Sequence, residues 1–258
     1  MMMTDPVLGA QLYTLREFTQ TTPDIAQTLA KVAKIGYTAV QISGFGPVDA
    51  KQVARLLDEA GLTAASTHIG WNRFLDDLEG VIEQHHLWGC RHPAIGGLPA
   101  DYRSLDGLKR FVDELGPVAE RLARESMDFS YHNHNHELAR HGDQTWLAAL
   151  YERADPRHLK AEIDTYWIQA GGGDPAAWIR KCAGREPLLH LKDMTVTPAG
   201  EQRFAEIGEG NLNWPAILQA ASEGGVEWYL VEQDNCYGRD PFDSLAVSYR
   251  NLKAMGLK

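Results

Sequence analysis

Cysteine is scarce. The chain holds three in 258 residues, Cys90, Cys182 and Cys236, dispersed and odd in number. They offer neither a disulfide framework nor a CxxC metal pair, which points to a reducing compartment. Basic charge is also short. Twenty-five lysines and arginines face 35 aspartates and glutamates, a net of −10, and no run of like charge marks a tail. A duplex nucleic-acid binder must neutralise phosphates, so this balance argues against one. No apolar run is long enough to span a membrane. The first residues, Met1-Met2-Met3-Thr4-Asp5-Pro6, lack the basic region and long apolar stretch of a leader, so a cytoplasmic location is expected. Phosphate-loop chemistry is missing as well: Gly171-Gly172-Gly173 lacks the lysine and the serine or threonine of such a loop and reads as a turn into a helix.

What the chain does have is a strand–helix alternation from end to end. Strands are expected over Val7 to Leu12, Thr38 to Ile42, Thr63 to His68, His92 to Ile95, Phe129 to His132, Leu159 to Asp164, Leu188 to Lys192 and Trp228 to Glu232. Between them lie helix patterns. The first is opened by Thr22-Pro23-Asp24, with Thr22 as N-cap, and ended by Gly36. Others run over Val48 to Ala60, Phe74 to Trp88, Leu105 to Glu125, Trp146 to Arg153, Asp174-Pro175 to Cys182, Pro215 to Ser222 and Ser244 to Met255. A doubly wound open sheet would often carry GxGxxG after its first strand. Here that place holds Tyr13-Thr14-Leu15-Arg16-Glu17-Phe18. The expected fold is therefore α/β, a single (β/α)8 TIM barrel over residues 1–258, with no linker or composition shift to divide it. The longer gaps, 134–145 and 193–212, follow strands five and seven and fall on the rim where such barrels carry function.

Polar residues cluster where those strands end. Asp164 closes Ala161-Glu162-Ile163-Asp164, and Glu162 shares its face because strand side chains alternate. His190 follows Pro187-Leu188-Leu189, and Glu232 follows Tyr229-Leu230-Val231. Each would be costly to bury unpaired. Singly, a strand-end carboxylate is commonly an N-cap or a surface charge. Three at successive strand ends make a mixed oxygen and nitrogen ligand set for a divalent ion. Strand five ends in Tyr131-His132-Asn133-His134-Asn135-His136-Glu137. Its readings stay open. Glu137 folds back as the fourth ligand, or His132 binds and Glu137 supports it, or His136 and Glu137 are solvated. No serine or cysteine accompanies this run, so nucleophilic hydrolysis is a weak reading.

Taken together, Gln11-Leu12-Tyr13-Thr14-Leu15-Arg16, Tyr131-His132-Asn133-His134, Asp164-Thr165-Tyr166-Trp167, His190-Leu191-Lys192-Asp193, Gly208-Glu209-Gly210 and Val231-Glu232-Gln233-Asp234 resemble the sugar phosphate isomerase/epimerase family of the xylose isomerase-like TIM-barrel superfamily. The resemblance runs over nearly the whole chain, in order. It implies a divalent metal at the C-terminal rim, Mn²⁺ before Mg²⁺, Co²⁺ or Zn²⁺, and two glutamate-type positions on either side of a hydroxy-ketone. By motif position the metal ligands are Glu137, Asp164, His190 and Glu232. The acid–base candidates are Glu137, Glu232, His134 and His132, the imidazoles because they suit a base near neutral pH. Many relatives place the first glutamate at the end of strand five, where this chain has His132. His134 is expected beside the ion and not on it.

Placement near strand ends also suggests roles for residues at the rim. His68, Lys192, Trp167 and Glu209 are expected to contact substrate. His68 reads equally as a packed core histidine, and Lys192 as a structural ion pair. Trp71 and Trp167 are wall candidates for a sugar face, although such aromatics are more often core. Arg16 is an anion site or, more safely, a surface salt bridge. His85 and His86 are expected on the outer surface. The leading function is a metal-dependent isomerase or epimerase of a sugar or keto-sugar, acting through an enediolate. The alternative is a lyase or hydrolase of 3-keto-glycosides, or an inosose-like dehydratase, using the same metal-stabilised enolate. An abasic-site endonuclease comes last, because it needs a basic groove. The expected partner is a small sugar, with no nucleic acid and no membrane, and a homo-oligomer is left open.

Overall fold

A computed structural model of the chain describes residues 6–257; residues 1–5, read above as free of a leader, and residue 258 lie outside it. Eight parallel strands close into a barrel: β1 (Val7–Gln11), β2 (Ala39–Ile42), β3 (Thr63–His68), β4 (Pro93–Ile95), β5 (Ser130–His132), β6 (Lys160–Asp164), β7 (Leu188–Leu191) and β8 (Trp228–Val231). Closure comes from β8 on β1, with Val7 opposite Trp228 and Ala10 opposite Val231. Outside run α1 (Thr22–Ile35), α2 (Ala50–Ala60), α3 (Trp71–Asp76), α4 (Leu78–Trp88), α5 (Leu105–Arg124), α6 (Trp146–Arg153), α7 (Thr165–Ala170), α8 (Pro175–Lys181), α9 (Trp214–Gly224) and α10 (Pro241–Ala254). No helix among the described residues is long and apolar enough to cross a membrane.

The helices form where apolar spacing and caps agree. In α5, Leu108, Phe111, Leu115, Val118 and Leu122 recur at intervals of three and four and are all buried against the barrel. Its cap is Ser104, whose hydroxyl accepts from Gly107 N. The cap of α1 is Thr21, one residue before the expected Thr22, because it is the Thr21 hydroxyl that accepts from Asp24 N. Gly36 ends that helix at φ 121°, and a Cβ there would lie 2.6 Å from the Tyr249 ring. The single helix expected over Phe74 to Trp88 is two, broken at Asp77 (φ −145°, ψ 47°). Helix α7 was not expected; it starts directly on Asp164.

Strand alternation divides the barrel interior into layers. Ala39, Ala65, Leu188 and Leu230 form a small apolar plug, separate from the large core between strands and helices. One step toward the C-terminal ends, the inward positions turn polar: Gln11, Gln41, Ser66, Glu162 and His190, all buried. A register irregularity between β2 and β3 skips Ala65 and sets Ser66 opposite Gln41. On β6 and β7, Asp164 pairs directly with His190.

The long gap after β7 is an antiparallel hairpin, Asp193–Val196 with Gln202–Ala205, followed by a loop wrapped around one carboxylate. Asp193 accepts from Met194 N, Gly208 N, Gly210 N and Leu212 N, and from Trp214 Nε1 at 2.7 Å. Gly210 has to be glycine, since a Cβ would collide with the Asp193 carboxylate. The gap after β5 holds a smaller hairpin, Arg140–His141 with Gln144–Thr145.

One buried acid sits away from the rim. Glu186, just before β7, is 3% exposed and neither carboxylate oxygen has a well-directed hydrogen-bond partner. Burial holds its carboxyl well above the usual carboxylate range. The folded protein therefore keeps a proton that the unfolded chain releases above about pH 4.3. That contribution is complete below the unfolded value and is lost as pH rises toward the folded one. Glu186→Gln should raise the melting temperature at pH 8 and change it little near pH 4. A difference independent of pH would show that Glu186 is ionised in the fold.

Candidate functional site

Four buried side chains meet at the C-terminal mouth of the barrel. One ligand-type atom from each of His132, Asp164, His190 and Glu232 lies within 4.8 Å of the others. His132 Nε2 is 3.2 Å from Asp164 Oδ2, and His190 Nδ1 is 3.0 Å from Glu232 Oε2 and 3.7 Å from Asp164 Oδ2. Asp164 serves two roles at once. Its Oδ1 accepts from Trp167 N at 2.8 Å and caps α7, while Oδ2 points into the cluster. The backbone N–H of Asp164 donates to Asn133 Oδ1, which ties the ends of β5 and β6 together.

Beneath the cluster the polar layer fixes the orientation of His190. Gln41 Nε2 donates to Glu162 Oε1 (2.7 Å) and to Ser66 Oγ (3.0 Å). A carboxylate can only accept, so Gln41 Oε1 must face the other way. There it accepts from Gln11 Nε2 at 2.8 Å and lies 2.6 Å from His190 Nε2. His190 Nε2 therefore carries a proton, and Nδ1 is the nitrogen turned toward Asp164 and Glu232. Glu162 also takes His68 Nε2 at 2.7 Å.

Electrostatics inside this mouth are mutual. Burial alone would raise the Asp164 and Glu232 carboxyls, but Lys192 and the imidazoles hold both well below the usual range. Burial would lower His190, but Glu162, Asp164 and Glu232 hold it well above the ordinary imidazole value. His132 is pushed down, first by burial and then by His190. Lys192 is fully buried, with Nζ 2.7 Å from Glu232, 3.0 Å from Asp164 and 2.8 Å from Asp234. Burial, then the neighbouring Glu232, pushes the Asp234 carboxyl up to about 6.

The donor set fits a divalent ion. Two atoms each about 2.1 Å from one ion, at bond angles near 90–110°, lie roughly 3.0–3.4 Å apart. The contacts of 3.0 and 3.2 Å match, and the 3.7 Å contact is slightly open. The Gln41–His190 hydrogen bond is the outer partner that a metal-binding imidazole needs. Buried His132 Nδ1 has no such partner.

Glu137 stands elsewhere. It accepts from the Tyr131 hydroxyl at 2.8 Å and from His134 N at 2.9 Å, and His136 Nε2 is 3.2 Å away. These bonds turn the carboxylate to the outer side of the β5 end, because Tyr131 alternates away from His132. His132 is the strand-five residue that groups with Asp164, His190 and Glu232, whereas Glu137 groups with His134 and His136, whose ligand-type atoms also lie within 4.8 Å of one another. His134 is not one of the four clustered residues. Its ring is 5.0 Å from His132 and 5.2 Å from Trp167, with Nδ1 buried and unpartnered. Burial, then His132, lowers it to about 3, so it is neutral at pH 7. His134 and His136 border a cavity of about 530 Å³ with Gly96, Gly97, Trp71 and Arg103.

Other expectations fare unevenly. His68 sits between Glu162 and Gln11 and stacks on His190 at 5.3 Å. Lys192 is taken up by carboxylates, as its ion-pair reading had it. Trp167 is half-buried beside His134 and Phe204. Trp71 packs in the core on Phe111 and Phe129, with only its edge at the cavity. Glu209 is exposed, 3.7 Å from Arg239; the backbone around it binds Asp193 instead. Arg16 has no carboxylate partner among the described residues and donates to the carbonyls of Tyr13 and Asp234. His85 is not on the outer surface. It is buried between Thr67 Oγ1 (2.8 Å) and the Val81 carbonyl, and burial lowers it to about 4; His86 is exposed as expected. Gln11, Gln41, Ser66 and Asp234 had been passed over. Polar residues at inward strand positions were the signal for the first three.

Comparison with known proteins agrees with the barrel fold. The family model for the xylose isomerase-like TIM barrel matches residues 29–252. The chain belongs to that family. It is 22% identical to the rhizopine catabolism protein MocC of Rhizobium meliloti over 88% of this chain and 79% of that protein. It is 25% identical to an inosose dehydratase of Geobacillus kaustophilus, over 65% of this chain and 61% of that protein. A sugar phosphate isomerase/epimerase from Parabacteroides distasonis superposes with a TM-score of 0.81 at 25% identity, covering 99% of this chain and 96% of that one. Members similar to this chain thus include sugar isomerases and a dehydratase.

Proposed function

We propose that the protein is a divalent-metal-dependent isomerase or epimerase of a sugar or keto-sugar. The observation that carries this is the buried set of His132, Asp164, His190 and Glu232 at the barrel mouth; His134, whose ring lies 5.0 Å from that of His132, lines a cavity of about 530 Å³. We assign those four as the residues that hold the ion. When bound, such an ion polarises a substrate carbonyl and the adjacent hydroxyl, and it stabilises the negative charge of an enediolate.

The remaining work falls to side chains. His134 is neutral and borders the cavity, and we assign it as a group that accepts or returns a proton at a substrate carbon. Glu232, across the mouth, is the second acid–base group. Glu137 is a positioning residue: by gripping His134 N and the Tyr131 hydroxyl it holds the strand-five tail against the cavity. Gln41 keeps His190 Nδ1 toward the ion. Trp167 and Phe204 exclude water from the mouth. Whether the proton returns to the same carbon from the other face or to the next carbon separates epimerase from isomerase. Loss of a β-substituent from the same enolate gives the second reading, a dehydratase or lyase, favoured by the likeness to inosose dehydratase.

The strand-five assignment is checked by metal titration. His132→Ala should weaken Mn²⁺ binding by about 100-fold or more, whereas Glu137→Gln should change it by no more than about threefold and lower turnover instead. The reverse order would return the ligand role to Glu137. The reaction class is checked by solvent deuterium. With Mn²⁺ present, the protein should place deuterium at a carbon next to the ketone in at least one of a panel of ketoses, keto-glycosides and inososes. Cleavage of abasic DNA with no exchange on any of them would overturn the reading. Exchange with release of a β-substituent would make the enzyme a lyase.

A further inference from the structure

We infer that Lys192 and Asp234 form a built-in counter-ion device for the metal site: Lys192 neutralises Asp164 and Glu232 while no divalent ion is held, and passes to Asp234 when one is. Asp234 thereby raises metal affinity without touching the metal. This rests on the four-residue metal assignment above.

The Lys192 ammonium lies between three carboxylates, and two of them, Asp164 and Glu232, belong to the metal set. An ammonium at 2.7–3.0 Å from the oxygens that would hold an ion cannot share them with it unchanged. Two cations that close repel strongly in a site with little water. Asp234 is the third carboxylate and is not part of the metal set. It sits toward the opening with its side chain 24% exposed. Charge closes with both cations present, because three carboxylates balance one ammonium and one divalent ion. The other carboxylate of the polar layer, Glu162, is engaged separately by Gln41 and His68.

The construction suits a short side-chain movement between fixed posts. Thr165 Oγ1 donates to the Lys192 carbonyl at 2.8 Å and accepts from Lys192 N at 3.0 Å, so the lysine backbone is clamped. The Asp234 carbonyl accepts from Arg16, and the residue before it is held by Thr14, which accepts from Gln233 N. All three ammonium contacts are poorly directed for hydrogen bonding, and Lys192 Nζ and Asp234 Oδ2 both lack a well-aligned partner. Charge, more than bond direction, holds the ammonium, and charge is what an incoming ion changes.

The test is a double-mutant cycle read by calorimetric titration with Mn²⁺ alone, with no substrate. Lys192→Met should tighten Mn²⁺ binding by about tenfold or more, and Asp234→Asn should weaken it by a similar factor. In the Lys192→Met background, Asp234→Asn should cost no more than about threefold, since its role is to receive the lysine. The cycle separates this from simple attraction between Asp234 and the ion, which would persist without Lys192. Weaker binding in Lys192→Met, or an equal Asp234→Asn effect in both backgrounds, would overturn the inference and leave the metal assignment standing. No Mn²⁺ binding by the unmodified protein would overturn the metal assignment itself. Thermal unfolding without metal checks that the variants fold. If Lys192→Met does not, Asp234→Asn alone decides, and unchanged affinity there refutes the device.

Discussion

The structure turns on the cost of burying acids together. Glu162, Asp164 and Glu232 all lie inside the mouth of the barrel with almost no exposure. Carboxylates this close and this dry either take up protons or require cations and donors. The chain supplies both kinds of help. Gln41 and His68 satisfy Glu162, and Lys192 and His190 lie against Asp164 and Glu232. Gln41, His68, His190 and Lys192 are all explained by that demand. A mouth that concentrates negative charge and still offers imidazole nitrogen is the arrangement a divalent ion needs.

The barrel is what makes the concentration affordable in structural terms. Parallel strands end at one rim, so residues far apart in sequence meet there, as His132, Asp164, His190 and Glu232 do. The loops then use the same rim. Asp193 organises the segment after β7 through five donors, and that segment presents Phe204 against Tyr166 and Trp167 beside the lysine. Asp164 links the two tasks, capping α7 with one oxygen and facing the cluster with the other.

Much of this was legible in the sequence for physical reasons. Apolar runs ending in a charged or imidazole group give strands, and caps such as Asp174-Pro175 give the helices between them. Three of the four clustered residues could be named from strand ends alone. Strand five could not be settled that way. Its tail carries three imidazoles and a carboxylate within six residues, and which one points inward depends on where the strand stops and on the Tyr131–Glu137 hydrogen bond. Gln11 and Gln41 look unremarkable in sequence, since glutamine is usually solvated. Only their inward parity shows that each is buried and must be bonded. His85 was misplaced because its helix face was read as outer, whereas Thr67 on β3 supplies a buried partner. Short α7 was missed because its N-cap had been read only as a ligand.

The central claim is that His132, and not Glu137, completes a metal site with Asp164, His190 and Glu232. The most direct measurement is anomalous diffraction at the manganese edge from crystals grown with Mn²⁺. The predicted result is one strong peak per chain between His132 Nε2, Asp164 Oδ2, His190 Nδ1 and Glu232 Oε2, with Glu137 still bonded to Tyr131 and His134. A peak at Glu137, or no ordered peak at saturating Mn²⁺, would contradict it.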